Sequence, residues 1–310
     1  MTTTTAPDVR TFPVATTAVT AMVPMVWGTT YLVTTTFLPP GYPLFAALLR
    51  TLPSGIIAIG LTRVLPRGRW WWRAFVLGVL NLGAFQPLLF VTAERLPGGV
   101  AATLGAIQPL VVAGLAVAVL GETPSWRRIG WGCAGVVGVG LVVLGPTAAL
   151  DPIGILAGLL GSASVALGIV LTKRWGRPKG VGPLTYAGWQ LVAGGVVILP
   201  LTLALEGVPP HIDRPAIRAY LWLSLVGGLL AYALWFRGIH RLPVTALALL
   251  VLISPLTAAI LGAMFAHERF TVAQTIGFAL ALIALVAGQL PDRNKKARPG
   301  EPGRASDWGE

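Results

Sequence analysis

The chain has 310 residues, of which 55% are hydrophobic and only 11% charged, with 38 glycines and a mean hydropathy of +0.77. That composition excludes an ordinary soluble domain; a bilayer then leaves only helices or a closed barrel, because backbone groups in lipid must be bonded within the protein. The net charge of +12 is explained by contact with anionic lipid at one membrane face, and nucleic acid is not an expected partner.

In chain order, residues 1–14 form a Thr-rich polar tail without a signal-peptide type of cleavage site. The first apolar run is therefore expected to stay in the mature protein. Ten apolar runs follow, at 15–38, 42–62, 71–93, 98–120, 129–149, 152–172, 182–205, 217–236, 243–266 and 271–290. They lack the ten-residue alternation of barrel strands and are long enough for a bilayer that needs about 20 apolar residues per helix. The predicted fold is an all-α membrane protein of ten transmembrane helices. Residues 291–310, charged and rich in Pro and Gly, read as a disordered tail.

Loop charge orients this array. With the N-terminus inside, 18 of the 23 Lys and Arg residues fall on the cytoplasmic side, among them Arg63, Arg67, Arg69, Arg73, Arg127, Arg128, Lys173, Arg174, Arg177 and Lys179. Arg95, Arg214, Arg218 and Arg269 fall opposite, and Arg50 lies inside a run. The bias predicts both termini in the cytoplasm.

The chain repeats itself. Arg95-Leu96-Pro97 recurs as Arg241-Leu242-Pro243, and at the same offset of 146 Ala102, Leu104, Ile107, Pro109, Leu110, Ala113, Leu115 and Glu122 meet identical residues, giving 11 identities in 28 positions. At an offset of 140, Gly28, Pro43, Leu44, Ala47 and Gly55 meet Gly168, Pro183, Leu184, Ala187 and Gly195. Two units are predicted, 15–149 and 150–290, each of five spans. Because five is odd, the copies must enter the membrane in opposite directions, as inverted repeats of the kind secondary transporters use, with a substrate site near mid-membrane between them.

Trp27-Gly28, Arg50, Pro109, Gly121-Glu122 and Ile129-Gly130 in the first unit, with Pro255, Glu268 and Ile276-Gly277 in the second, resemble two EamA-type repeats of the drug/metabolite transporter superfamily. Gln190 stands where Arg50 does, and Leu167 where Trp27 does. The resemblance covers roughly residues 15–290. It implies a ten-helix exporter of small metabolites, amino acids or drugs in the bacterial inner membrane, with a cavity lined mainly by spans 1, 3, 4, 6, 8 and 9.

Polar side chains deep in spans are costly and are candidates for function. Arg50 is the charge well inside a run; it could hold a substrate carboxylate bidentately or serve a structural partner such as a helix-end carbonyl. Asn81, Gln86, Gln108 and Ser254 form a second group, the last two just before Pro109 and Pro255. These prolines, matched across the repeat, free backbone carbonyls and are the expected bend points. Helix–helix hydrogen bonding is the competing reading for all four polar residues. Trp27 and Tyr31, spaced i, i+4, could stack on substrate. Tyr232 and Trp235 could do the same, although near a span end they read first as interface anchors.

All eleven acidic residues lie in tails, loops or at span ends, as do His211, His240 and His267. A buried acid for proton-for-cation exchange is therefore not expected, leaving facilitated efflux or coupling through Glu94. No His, Cys or carboxylate cluster suggests an enzyme, a metal or a cofactor, and Cys133 reads as a packing residue. The expected function is export of small metabolites, most of all amino acids or related compounds, by alternating access. Multidrug efflux of lipophilic cations is the alternative, and a channel or lipid-moving protein a more distant one. Expected partners are a small-molecule substrate and membrane lipids, with a homodimer left open.

Overall fold

The computed structural model describes residues 14–121, 126–143, 151–239, 250, 253–265 and 270–289. Glu122, Glu268, the second Arg-Leu-Pro stretch at 241–243 and the two predicted tails lie outside the described residues, apart from Val14.

Among the described residues all regular structure is helical. The helices are α1, Val14–Phe37; α2, Pro43–Thr62; and α3, Trp70–Arg95, with a π-helical stretch at Val79–Ala84. Next, α4 runs from Gly98–Leu104 through a 3-10 turn at Gly105–Ile107 into Gln108–Leu120. Then come α5, Trp126–Val143; α6, Pro152–Trp175; and α7, Pro183–Leu205. Arg214–Leu221, a π-helical stretch Trp222–Leu230 and Ala231–Ile239 make up α8. The last two are α9, Ile253–Phe265, and α10, Val272–Gln289. Among the described residues five helical segments are long and apolar enough to cross a membrane: Pro43–Thr62, Trp70–Arg95, Pro152–Thr172, Pro183–Leu205 and Arg214–Trp235.

Local sequence explains the boundaries. Proline opens α2, α6, α7 and α8 within their first two positions, where no intrahelical N–H is lost. Asp151 and Asp213 cap the starts of α6 and α8 by accepting from Gly154 N at 2.9 Å and Ala216 N at 2.8 Å, which satisfies donors the helix cannot. At the other ends, α2 stops at Arg63 in the left-handed conformation, with φ 53° and ψ 29°, and α6 at Gly176, whose φ of 68° and ψ of −153° suit glycine alone.

The packing is two-fold. α2 lies along α7 and α5 along α10; α1 rests on α9 as α6 rests on α4, and α3 meets α7 as α8 meets α2. Advancing every label by five converts each pair into its counterpart. Two glycines show this at atomic scale: a Cβ on Gly55 would lie 2.6 Å from the Val192 nitrogen, and one on Gly195 would lie 2.7 Å from the Leu52 Cβ. Both pairs correspond at the offset of 140. Side chains this small let two backbones approach closely where lipid supplies no hydrophobic drive.

The π-helical stretches sit in corresponding helices, α3 and α8. A wide turn leaves carbonyls without their usual partners, and a buried carbonyl needs one. Crossing helices supply it: Ser164 Oγ of α6 donates to Leu80 O at 2.7 Å, Trp27 Nε1 of α1 to Gly227 O at 3.1 Å, and Ser54 Oγ of α2 to Ser224 O at 2.7 Å. These irregular turns were not foreseen, since neither stretch contains proline. At the end of the bundle where α2 begins, Glu206 accepts from Leu44 N and Phe45 N, both at 3.0 Å, and Glu94 accepts from Gly41 N at 3.3 Å. The ends of α3 and α7 are thereby tied to the start of α2.

Candidate functional site

Arg50 is only 3% exposed, in the middle of α2. Its Nη1 donates to Thr30 Oγ1 of α1 at 3.0 Å, and its Cζ stands 5.9 Å from the centroid of the Phe90 ring of α3. Its Nε is buried without a hydrogen-bond partner. A Cβ at Gly227, in the π-helical stretch of α8, would be 3.9 Å from both Nε and Nη2, so at this position α8 offers the guanidinium no side chain.

An aromatic wall stands beside this charge. The Trp27 ring lies 5.7 Å from that of Tyr232 and 5.3 Å from that of Trp235, tilted by 56° and 54°. Tyr31 and Tyr232 both lie close enough to Arg50 to feel its charge, and the Gln86 side chain is hydrogen-bonded to Tyr232. Gln86 is 1% exposed, and its Oε1 has no partner. Trp27, Tyr31, Arg50, Gln86, Tyr232 and Trp235 are thus brought together between α1, α2, α3 and α8. Tyr232 and Trp235, which read first as interface anchors, are in ring contact with Trp27.

The remaining candidates lie elsewhere. Asn81 Nδ2 donates to Gln190 Oε1 at 2.8 Å, a bond between α3 and α7 pressed against Gly168 of α6. Gln108 starts the second part of α4, directly after the 3-10 turn and followed by Pro109. Ser254 and Pro255 open α9, and the Ser254 carbonyl would lie 2.6 Å from a Cβ on Gly28 of α1. Gln108 and Ser254 are half-buried. Three site neighbours were not anticipated. Phe90 follows Gln86 by four residues and so shares its helix face, a signal the sequence carried. Gly227 matches Asn81 at the repeat offset of 146. Thr30 had no signal of its own.

Chemically, the cluster offers a buried donor on a fixed cation, a buried acceptor on a neutral amide and a half-buried aromatic wall. Leaving a buried polar atom unmade costs about 1–3 kcal/mol, more when it is charged; such atoms call for an explanation. No Asp or Glu occurs between Asp8 and Glu94, so α1, α2 and most of α3 bring no counter-ion to Arg50. Among the described residues no three His, Cys, Asp or Glu come together as metal ligands would, and Cys133 is exposed on α5.

A family model for the EamA-like transporter family matches twice, over residues 15–144 and 152–287. Protein PecM of Dickeya dadantii is 44% identical over 279 residues, covering 89% of this chain and 94% of that protein. The WAT1-related protein At3g02690, chloroplastic, of Arabidopsis thaliana is 28% identical, covering 86% and 68%. The uncharacterized inner membrane transporter YedA of Escherichia coli K12 is 24% identical, covering 84% and 86%. A crystal structure with 19% identity superposes at a TM-score of 0.61 over 89% of this chain and 98% of its own, a likeness of fold. The chain is a transmembrane transporter and belongs to the EamA-like transporter family, within the drug/metabolite transporter superfamily.

Proposed function

We propose that the protein exports small metabolites, amino acids or related compounds first among them, by alternating access across the bacterial inner membrane. In this reading ten helices span the bilayer as two inverted five-helix units, 15–149 and 150–290, with both termini in the cytoplasm. The reciprocal packing of Gly55 and Gly195 supports the two-fold arrangement. The excess of Lys and Arg at one membrane face supports the orientation. The 3-10 turn at Gly105–Ile107 before Pro109 supports Pro109, and by the repeat Pro255, as the points about which helices would rock. Gln108 and Ser254 would face the path, while Asn81 serves packing.

The observation that carries the substrate reading is Arg50, a buried guanidinium with an unpaired Nε and no carboxylate in its own stretch of chain. A substrate carboxylate would complete it through a charge-assisted hydrogen bond, with the apolar part of the molecule against Trp27, Tyr232 and Trp235. The same aromatic wall supports a second reading, efflux of lipophilic cations, but Arg50 would repel such cargo.

Counterflow in vesicles separates the two. Vesicles carrying the protein are preloaded with unlabelled L-phenylalanine, L-glutamine or tetraphenylphosphonium, and uptake of the same labelled compound is followed. The amino-acid reading expects acceleration by at least one amino acid, lost in Arg50→Gln. Acceleration by tetraphenylphosphonium alone, unchanged in Arg50→Gln, would replace it with the cation reading.

A further inference from the structure

We propose that the cleft between the start of α3 and the end of α6 binds the phosphate headgroup of an anionic glycerophospholipid. The cleft has a volume of about 270 Å³ and is lined by Arg69, Trp72, Arg73 and Trp175. It lies at the opposite end of the bundle from Glu94 and Glu206, away from the Arg50 cluster.

Arg73 is held there by two indoles. Its Cζ stands 5.2 Å from the Trp70 ring centroid and 5.7 Å from that of Trp175, so the guanidinium bridges α3 and α6. Trp70 in turn meets the ring of Tyr186 edge-on at 6.0 Å and 72°. The connection carrying Arg69 is fixed from α7, where Trp189 Nε1 donates to Val64 O at 2.7 Å. A guanidinium stacked on aromatic faces keeps its N–H edge in a set direction, the arrangement that suits two-point contact with phosphate.

The cations here lack anions from the protein. No Asp or Glu occurs between Asp8 and Glu94 or between Asp151 and Glu206, the segments that build this end of α3, α6 and α7. Among the described residues neither Arg69 nor Arg73 has a carboxylate partner. A free anion would satisfy the charge but not the wall: Trp72 is 66% exposed and stacks on Phe75, itself 41% exposed, with ring centroids 6.1 Å apart. That apolar surface continues from the charged rim along a membrane-crossing helix, where an acyl chain lies. The occupant is therefore a lipid phosphate, and it joins helices from both family-matched segments of the chain.

The test uses the full chain in detergent, titrated with dioleoylphosphatidylglycerol, dioleoylphosphatidylcholine or inorganic phosphate, with bound lipid counted by native mass spectrometry. Phosphatidylglycerol should be retained over phosphatidylcholine, and Arg69→Gln/Arg73→Gln should lower its affinity about tenfold or more, since each basic residue contributes about 1 kcal/mol at a lipid surface. Arg63→Gln/Arg67→Gln, which removes the same charge from the same connection, should bind as the wild type does. Arg73→Lys keeps the charge but loses the fork and the stacking; it should weaken retention severalfold with an unchanged melting temperature. Equal losses in the two double variants would reduce the site to diffuse surface charge and overturn the proposal. Wild-type retention in Arg69→Gln/Arg73→Gln would also overturn it, as would inorganic phosphate binding as tightly as phosphatidylglycerol.

Discussion

Asn81 donates to Gln190 across 2.8 Å, and where α3 meets α7 this amide pair fills the place that Arg50 and Gly227 hold where α2 meets α8. Gln190 matches Arg50 at the offset of 140, and Asn81 matches Gly227 at 146. One crossing thus closes the position with two neutral side chains that satisfy each other. The other puts a cation there and removes the opposing side chain, leaving Arg50 Nε without a partner. A two-fold fold therefore carries a one-sided site.

Removal of the closed pair should cost stability and spare binding. Asn81→Ala strands the Gln190 amide, and hydrogen bonds between membrane helices average about 0.6 kcal/mol. The expected loss is about 1 kcal/mol, read as a small fall in melting temperature in detergent. Counterflow kinetics should stay within twofold of wild type. A large change in transport with no change in melting temperature would put Asn81 in the substrate path.

Trp27 supports the site in two ways, since its indole N–H caps Gly227 O and its ring forms the wall with Tyr232 and Trp235. Trp27→Phe retains a ring but leaves the carbonyl of the π-helical stretch unpaired, at a cost of about 1–3 kcal/mol if no water replaces it. The expected result is weaker substrate-induced thermal stabilisation together with a lower melting temperature of the free protein. Trp27→Ala should lose substrate stabilisation altogether. Unaltered stabilisation in both variants would remove Trp27 from the site.

At the α2–α7 crossing, Gly195→Leu should be among the most damaging substitutions in the chain. A Cβ at this position would already stand 2.7 Å from the Leu52 Cβ and 2.9 Å from its Cα, so the helices must part. Overpacking of this kind costs about 1–3 kcal/mol even for added methylenes, and a whole leucine exceeds that. Gly60→Leu on the same α2, where a Cβ would meet nothing within 4 Å, should be tolerated. Melting temperatures of the two variants give the comparison, and equal effects would mean that the crossing is looser than drawn.

The helices were legible in the sequence because apolar run length and helix-starting proline are local signals. Pro43, Pro152 and Pro183 sit at or one residue after the expected starts, and Arg63 and Gly176 end their helices with positive φ. Arg50, Gln86 and Trp27 were legible as candidates because a polar or bulky amphipathic side chain deep in lipid needs a reason. Which of the candidates meet was not legible: Asn81 and Gln86 lie five residues apart in one apolar run, and the π-helical stretch between them helps send one to Gln190 and the other to Tyr232. A wide turn carries no residue signature here, since Val79–Ala84 and Trp222–Leu230 contain no proline. The long-range partners follow from how helices cross, which the chain's local pattern does not encode.

Asp151 gives a prediction about acid. Its Oδ1 accepts from Gly154 N at 2.9 Å and its Oδ2 from Arg95 Nη1 at 2.8 Å. The Gly154 N–H before all, then Arg95, hold its carboxyl below its ordinary value, although partial desolvation pulls the other way. A carboxyl lowered in the folded state binds fewer protons there than in the unfolded chain. Its contribution to stability is then present above the usual aspartate range of about 3.9 and lost as pH falls through the lower folded value. Asp151→Asn can still cap α6 but has no charge to lose, so wild type should melt higher than the variant at pH 7 and the gap should close between about pH 4 and the onset of acid unfolding. Every other carboxyl is common to both proteins, which is why the difference, not either curve, is read. A gap that stays constant down to pH 3 would mean that the carboxylate charge at Asp151 does not support the start of α6.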